Sequence, residues 1–356
     1  MQKNETTLSI CIVTWNSEKY LRELFQSIFK QTVLQKEKYP IKLSVNVVDS
    51  GSQDGSMEFL TKKYPEVHVL RNTHNLGFSR SYNQSIRMSK TEYILVINAD
   101  IVLEEDFIEK ALNQIKNPEY SGEKIGAVVG KLYRGHFVLS NGNEICDIQK
   151  TKTIDSFGIE IKRNRRFVNI GEGEEDKGQY NNLKEIFGFS GACVMFRRQG
   201  LEDVKYSAEY FDEDFFAYKE DIDLSWRLQI AGYKIMFVQE AKAYHFRSLQ
   251  DKNAKYTNVK IARSYKKKAS WRRMCSYRNH LLCLFKNETK RNFLKDFFPI
   301  ILYEFRKLIY LLIFDTKNFK GFFQALKLRS KMKDKRKISM RHRIKDAEGV
   351  RKWITS

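Results

Sequence analysis

Three carboxylates fall within four residues at Glu220, Asp221 and Asp223, inside the stretch FDEDFFAYKEDIDLSWRLQIAGY from 211 to 233. Adjacent negative charges repel, which raises the pKa of at least one of them and suits it to take a proton from a hydroxyl. Acids at that place also complement the N-terminal end of a helix dipole, so a well-capped helix start is the competing account. Asp100 closes an apolar run in Asn98-Ala99-Asp100. A carboxylate there can hold Mg²⁺ or Mn²⁺ that shares oxygen ligands with the phosphates of a nucleotide. An Asp after a strand is more often the ordinary residue of a turn or helix N-cap. His245 ends a further apolar run in AYHF and is either a structural imidazole or a metal ligand. Asp100 and His245 gain weight as a pair, since two strand ends at one sheet edge could share a metal.

The elements that must bring these groups together are legible in the first hundred residues. Leu8 to Thr14 is a β-rich run, and Glu18 to Phe29 places Leu21, Leu24, Phe25 and Ile28 on one helical face. Strands are expected at Leu43–Val48, Val67–Leu70 and Tyr93–Ile97, with turn chemistry in DSGSQDGS and NTHNLGFS and a helix to about Met88. Strand and helix in alternation imply an α/β fold, a mostly parallel sheet covered by helices on both faces. Ligands of such sheets bind outside the carboxyl ends of the strands. Each strand here ends in a polar cluster: Thr14-Trp15-Asn16, Asp49 to Ser52, Asn72 to Gly77 and Asn98 to Asp100. From Tyr133 to Tyr180 the pattern weakens and is read as loops and short strands. It returns in Ile186–Phe196, Phe211–Ala217, a helix at Lys219–Ala231, and strands at Ile235–Val238 and Ala241–His245.

The chain of 356 residues is 42% hydrophobic and 13% aromatic, which excludes a wholly disordered protein. Its net charge of +21 is unevenly placed: residues 1–245 carry 33 basic and 35 acidic side chains, residues 246–356 carry 31 and 8. The expected division is a catalytic body over 1–250 and a basic, mainly helical extension over 251–356. Cys11, Cys146, Cys193, Cys275 and Cys283 show no metal-like pairing and read as reduced cytosolic thiols. No signal peptide is expected from the polar N-terminus. The longest apolar stretch, Phe297 to Phe314, is split by Glu304, Arg306 and Lys307 into halves too short for the ~20 residues of a membrane span.

In order along the chain come IVTWNS (12–17), VVDSGSQDGS (47–56), NLGF (75–78) with Asn83, NAD (98–100) and SFGIEIKRNRRFVNIGEGEEDKGQY (156–180). FSGACVMFRR (189–198), FDEDFFAYKEDIDLSWR (211–227), AYH (243–245) and RNHLLCLFKN (278–287) complete the series. Nine motifs in register over about residues 8–290 resemble a family 2 glycosyltransferase of the GT-A fold, nearest its rhamnosyltransferase-like branch. The resemblance implies a Rossmann-like α/β domain that moves one sugar from a nucleotide sugar with inversion. Thr14, Trp15, Asn16, Asp49 and Gly51 would then meet the nucleoside, with Asp49 accepting from a pyrimidine N–H. Asn75, Gly77, Arg80 and Asn83 would lie by the ribose and phosphates, and Asn98, Ala99, Gly191 and Ala192 along the donor site. Arg80 stands where small residues are usual, and a donor phosphate or a surface carboxylate are equal partners for it. Asp100 and His245 would hold Mg²⁺ or Mn²⁺, Asp221 would be the general base, and Glu220, Asp223 and Arg227 would complete the catalytic group. The usual Asp-x-Asp is here Asn98-Ala99-Asp100, so one metal carboxylate is missing.

The Gln-x-x-Arg-Trp motif of processive synthases is absent, which favours single addition. The donor implied is dTDP-rhamnose, with another nucleotide sugar such as a UDP-hexose as the alternative. Basic residues interleaved with Leu, Phe, Ile and Tyr from Trp271 to Trp353 suit helices at an anionic membrane surface. The expected partner is therefore a lipid-linked saccharide at the cytoplasmic face of a bacterial cell membrane, in surface-glycan synthesis. A helical dimer interface, giving a homo-oligomer, is a blander use of the same tail. A nucleic-acid-binding protein is the rival class, disfavoured because the body is neutral and the tail's aromatics cluster in apolar runs.

Overall fold

The computed structural model of the chain describes residues 5–35, 40–120, 122–139, 145–247 and 270–355. The basic run at 266–268 and the first part of the expected extension lie outside the described residues. The N-terminal pattern builds β1 (Thr6–Thr14), α1 (Glu18–Phe29), α2 (Thr32–Gln35), β2 (Ile41–Asp49), α3 (Ser56–Lys63), β3 (His68–Arg71), α4 (Gly77–Met88) and β4 (Tyr93–Asn98). β1 pairs in parallel with both β2 and β4, and β2 with β3, so Thr14 is level with Asp49 and Asp49 with Arg71. Alternation splits the strand side chains between two cores. Ile10 and Ile12 face Leu21, Leu24 and Phe25 of α1 on one side, and Cys11 joins Tyr82 and Ile86 of α4 on the other.

Beyond β4 come β5 (Ile101–Leu103), α5 (Phe107–Ile115), β6 (Ile125–Leu139), β7 (Ile145–Ser156), β8 (Ile159–Lys162), β9 (Phe167–Asn169), β10 (Glu185–Ile186), β11 (Cys193–Arg197), α6 (Arg198–Val204), α7 (Glu220–Ile230) and β12 (Lys234–His245). The main sheet runs β10-β12-β6-β11-β4-β1-β2-β3, with β11 antiparallel between β4 and β6. Three differences from the sequence reading have physical causes. The region expected as loops contains the long β6/β7 hairpin, whose register shifts near Tyr133 and Val138 break the alternation that would reveal it. The two expected strands before His245 are one β12, bent at a register shift between Val238 and Lys242. Within Phe211–Ala217 the backbone forms a 3₁₀ turn at Glu213–Phe215.

The C-terminal region forms α8 (Ser270–Asn287), α9 (Lys290–Lys295), α10 (Phe297–Phe314), α11 (Thr316–Arg341), α12 (Ala347–Arg351) and β13 (Ile354–Thr355). β13 returns to pair with β8, which also pairs with β9. Tyr277, Leu281, Leu282 and Cys283 of α8 pack with Trp226 and Ile230 of α7 in a third core. α7 is thus apolar on two sides, since Leu224 and Leu228 belong to the sheet core. Cys11, Cys193, Cys275 and Cys283 are buried free thiols; the Cys146 side chain lies outside the described residues. Among the described residues, no helix is long and apolar enough to cross a membrane.

Candidate active site

Asp100 and His245 stand 145 positions apart and are joined by register: the end of β12 pairs antiparallel with β5, His245 opposite Ile101. His245 Nε2 lies 3.3 Å from Asp100 Oδ1, and its Nδ1 lies 2.9 Å from Asp155 Oδ2. Asp155, at the end of β7, is fully buried, and Arg247 and Arg134 approach its other oxygen. Burial opposes a charge on His245, but the Asp100 and Asp155 carboxylates outweigh it and hold the imidazole up at about 9. The residues fit a divalent cation: a part-exposed carboxylate oxygen and an imidazole nitrogen turned toward it, the far ring nitrogen held by a carboxylate. Among the described residues no cluster of three His, Cys, Asp or Glu side chains forms a complete metal cage. Further ligands would have to come from phosphate and water.

Asp221 is reached from the same strand ends. The Asn98 N–H donates to the Ala192 carbonyl (2.9 Å), so Gly191 and Ala192 run beside the residues leading to Asp100. Gly191 N–H in turn donates to Asp221 Oδ2 (3.0 Å), while Ile222 N–H donates to Oδ1 (2.8 Å). A Cβ on Gly191 would meet the Phe78 ring at 3.0 Å and the Asp221 Cβ at 3.4 Å, so glycine is what lets this segment pass between them. Burial raises the proton affinity of Asp221 against these two donors. Burial and then the Asp221 charge raise that of Glu220 much further, and Glu220 Oε2 is buried without a hydrogen-bond partner. Asp221 is thus a part-exposed carboxylate with raised basicity, oriented by two backbone amides.

The loop ahead of it is strained. Phe216, Tyr218 and Lys219 have φ of 63°, 72° and 72°, values that residues with a Cβ rarely adopt. α8 holds them: Asn279 Nδ2 donates to the carbonyls of Phe215, Ala217 and Tyr218, and Arg278 to those of Asp214 and Phe215. Gly77 (φ +82°) admits this loop, because a Cβ there would meet the Phe216 ring and carbonyl at 2.6 Å. Trp271 stands edge-on to Phe216 and tilted against Tyr218, and all three rings are partly exposed.

The other expected site residues differ in depth and in partners. Asp223 is fully buried, bound by Arg227 Nε (3.0 Å), Asn287 Nδ2 (2.9 Å) and Lys286 Nζ (2.8 Å). Arg227 is 1% exposed and donates from Nη1 and Nη2 to the carbonyls of Val204 and Tyr210. Both therefore lie on the buried side of α7 and steady it. Asn83, wholly buried, accepts from the Tyr210 and Phe211 amides and donates to the Phe211 carbonyl, which places it under the site. Asn98 Oδ1 accepts from Tyr82 Oη (3.0 Å), and Ala99 is 8% exposed. Asp49 is fully buried and accepts from Thr14 Oγ1 (2.9 Å), Ser52 N–H (3.0 Å) and Ser52 Oγ. Asn16 closes over this turn by accepting from Gln53 N–H (2.8 Å), and its own N–H donates to Ser52 Oγ. Gly51 abuts the His74 backbone, and Asn75 Oδ1 accepts from Gly77 N–H. Trp15 leaves half its surface in solvent. Arg80, exposed, lies 3.8 Å from Glu213 Oε2. The residues that sequence patterns missed, Asp155, Asn279, Lys286 and Asn287, make contacts across 60 residues or more; for the last three the only signal was the run RNHLLCLFKN.

The profile described as Glycosyl transferase family 2 matches residues 9–205, and that of Glycosyl transferase family group 2 matches 172–325. A poly-β-1,6-N-acetyl-D-glucosamine synthase of Staphylococcus epidermidis is 24% identical over 66% of this chain and 48% of its own length. An N-acetylglucosaminyl-diphospho-decaprenol L-rhamnosyltransferase of Mycobacterium tuberculosis is 23% identical over 68% of this chain and 76% of its own. The chain thus spans about half the length of the synthase it matches. Among solved structures, S. aureus TarS 1–349 in complex with UDP-GlcNAc aligns with a TM-score of 0.52 at 15% identity, covering 95% of this chain and 89% of that one. GalNAc-T7 with UDP, GalNAc and Mn²⁺ aligns at 0.55 and 13%, covering 80% and 48%. These likenesses show a GT-A fold with a helical C-terminal region, and with a family profile matching more than half of its length, the chain belongs to glycosyl transferase family 2.

Proposed function

We propose that this chain transfers a single sugar from a nucleoside-diphosphate sugar to a hydroxyl of a lipid-linked saccharide, with inversion. The work is placed at the cytoplasmic face of a bacterial cell membrane, in surface-glycan synthesis. The observation that carries the chemistry is Asp221, raised in basicity by burial and docked on Gly191 N–H beside the strand end that leads to Asp100. Asp221 takes the acceptor proton as the acceptor oxygen bonds to the anomeric carbon and the nucleoside diphosphate leaves from the opposite face. Asp100 and His245 would hold Mg²⁺ or Mn²⁺, which when bound neutralises the diphosphate. The half-exposed Trp15 offers the nucleoside base a stacking surface, while the buried Asp49 shapes the turn beneath it.

Rhamnose from dTDP-rhamnose is the donor favoured by motif resemblance and by the mycobacterial relative. UDP-GlcNAc is the second reading, favoured by the synthase relative and by the TarS complex. A thermal-shift screen of dTDP-rhamnose, UDP-GlcNAc and UDP-glucose, each with Mn²⁺, Mg²⁺ or chelator, decides between them, because a ligand of the folded state raises the melting temperature. No shift with any nucleotide sugar would overturn the proposal.

A further inference from the structure

α10 consists mostly of apolar residues, yet only Ile300 and Leu311 of its 18 residues are buried. Its outer face exposes Phe298 (83%), Ile301, Leu302, Phe305 (57%), Ile309 and Leu312. Spacings of three and four keep these six in one stripe along a helix about 27 Å long. Soluble monomers rarely leave so continuous an apolar face bare. The helix's own charges do not break it. Glu304 turns inward to His280 Nε2 (2.8 Å), and Lys307 lies over the Tyr277 and Tyr303 rings.

The charges around the stripe are sorted by sign. Between residues 290 and 330 the acids are Asp296, Glu304 and Asp315: Asp296 and Asp315 are ion-paired with Arg165 and Arg273, and Glu304 is hydrogen-bonded to His280. Lys290, Arg306, Lys317, Lys320 and Lys327 are exposed. An apolar face whose own helix and flanking helices carry exposed cations is complementary to an anionic bilayer: the apolar side chains enter the acyl boundary and the bases meet lipid phosphates. A second copy of the chain would instead bring the same cations face to face, which costs energy.

The stripe also points at the reaction. Asp315, just past its C-terminal end, binds Arg273 Nε at 2.8 Å. Two residues before Arg273, Trp271 meets Phe216 and Tyr218 on the loop that leads into Asp221. We propose that α10 is a membrane-docking face whose apolar stripe lies at the headgroup boundary of an anionic bilayer. Its C-terminal end is directed to the Phe216–Tyr218–Trp271 rim, where the sugar head of a lipid-borne acceptor enters. The entry route rests on the lipid-linked acceptor proposed above; the docking face does not.

The test is co-sedimentation of the full chain with vesicles of phosphatidylcholine alone or mixed with phosphatidylglycerol, over a salt series. The parent is compared with the variant Phe298→Ser/Phe305→Ser/Leu312→Ser, in which every changed side chain is exposed. The parent should bind the anionic vesicles, and the variant at least about tenfold more weakly, with its melting temperature and nucleotide-sugar thermal shift unchanged. Equal binding by parent and variant would overturn the docking face while leaving the lipid-linked acceptor standing. A parent that ignores both vesicles, and forms a dimer in sedimentation equilibrium that the variant does not, would overturn it in favour of self-association. Failure of the transferase reading would show elsewhere, as absence of any donor thermal shift.

Discussion

Asn279 Nδ2 lies 2.7 Å from the carbonyl oxygen of Tyr218, a residue with φ of 72°, and the same amide reaches the Phe215 and Ala217 carbonyls at 2.9 Å. One buried side chain of the C-terminal region thus holds the strained approach to Glu220 and Asp221. Asn279→Ala removes the clamp and lets Phe216, Tyr218 and Lys219 relax toward ordinary backbone angles. Transfer kcat should fall at least about tenfold through misplacement of Asp221, with a stability cost of ~1–3 kcal/mol from carbonyls left without their donor. Steady-state kinetics and urea melts check both. An unchanged kcat would mean the loop keeps its shape unaided.

Asp221→Asn keeps the shape of the side chain and its acceptor oxygen for Gly191 N–H, but removes its basicity. The expected outcome is loss of ~10²–10⁴-fold in kcat with nucleotide-sugar binding nearly intact, because a general base acts only in the chemical step. Isothermal titration with the donor separates the two effects. Donor binding that disappears with activity would place Asp221 in the donor site rather than at the acceptor hydroxyl.

These two residues mark what the sequence could and could not disclose. The element ends that carry Asp100, Asp221 and His245 are legible because the apolar period of each element is clear, and the carboxyl edge of a parallel sheet gathers such ends. Asn83, Asp223 and Arg227 belong to equally clear helices, but a helical period does not say what packs on each face. Burial under Phe211 and against α8 makes these three interior. Asp155 is hidden because it lies near the end of β7, in a hairpin whose register shifts erase the alternation. Asn279 sits in a basic helix with partners 61 to 64 residues away. Composition alone assigns the whole basic region to the surface, whereas α8 is largely interior and the exposed apolar face belongs to α10.

Glu220 supplies a pH test. Its carboxyl is buried, one oxygen lacks a hydrogen-bond partner, and burial with the Asp221 charge raises its pKa well above the ordinary value. Between the unfolded and folded pKa values the native state keeps a proton that the unfolded state has lost, so this group's contribution to stability falls as pH rises through that window. Glu220→Gln removes the penalty. The variant should melt higher than the parent at pH 7–8, with the advantage shrinking as the pH falls toward ~4.3, the unperturbed Glu value. Melting curves across that range check the sign, and a variant that melts lower at pH 8 would show the ionised carboxylate to be stabilising.

Lys286 is wholly buried between Asp212 and Asp223, with Nζ 2.5 Å and 2.8 Å from their oxygens. Lys335 of α11 supplies a second cation to Asp212, and Arg227 a second to Asp223. Removing Lys286 leaves each carboxylate one cation but takes a buried charge-assisted contact from both, so Lys286→Met should cost ~1.5–3 kcal/mol in denaturant unfolding. Lys331→Ala, at an exposed pair with Asp214, should cost under ~1 kcal/mol. Similar costs for both would mean that α8 and α7 are held together by their apolar contacts alone.

Asp155 touches the candidate metal site only through His245. Its Oδ2 lies 2.9 Å from Nδ1, which directs Nε2 toward Asp100 and favours imidazole as a donor on that side. If Asp100 and His245 bind a divalent cation with the donor diphosphate, Asp155→Asn should weaken Mn²⁺-dependent nucleotide binding by ~10–100-fold, the usual effect of losing the carboxylate behind a ligating histidine. Binding measured in chelator should change little, because Asp155 is buried away from the nucleotide. His245→Ala should remove the Mn²⁺ dependence altogether. Titrating nucleotide with and without Mn²⁺ in the parent and both variants separates these effects. Equal weakening in chelator and in Mn²⁺ would assign Asp155 to holding the β7–β12 edge, where Arg134 and Arg247 also meet it, and not to a metal.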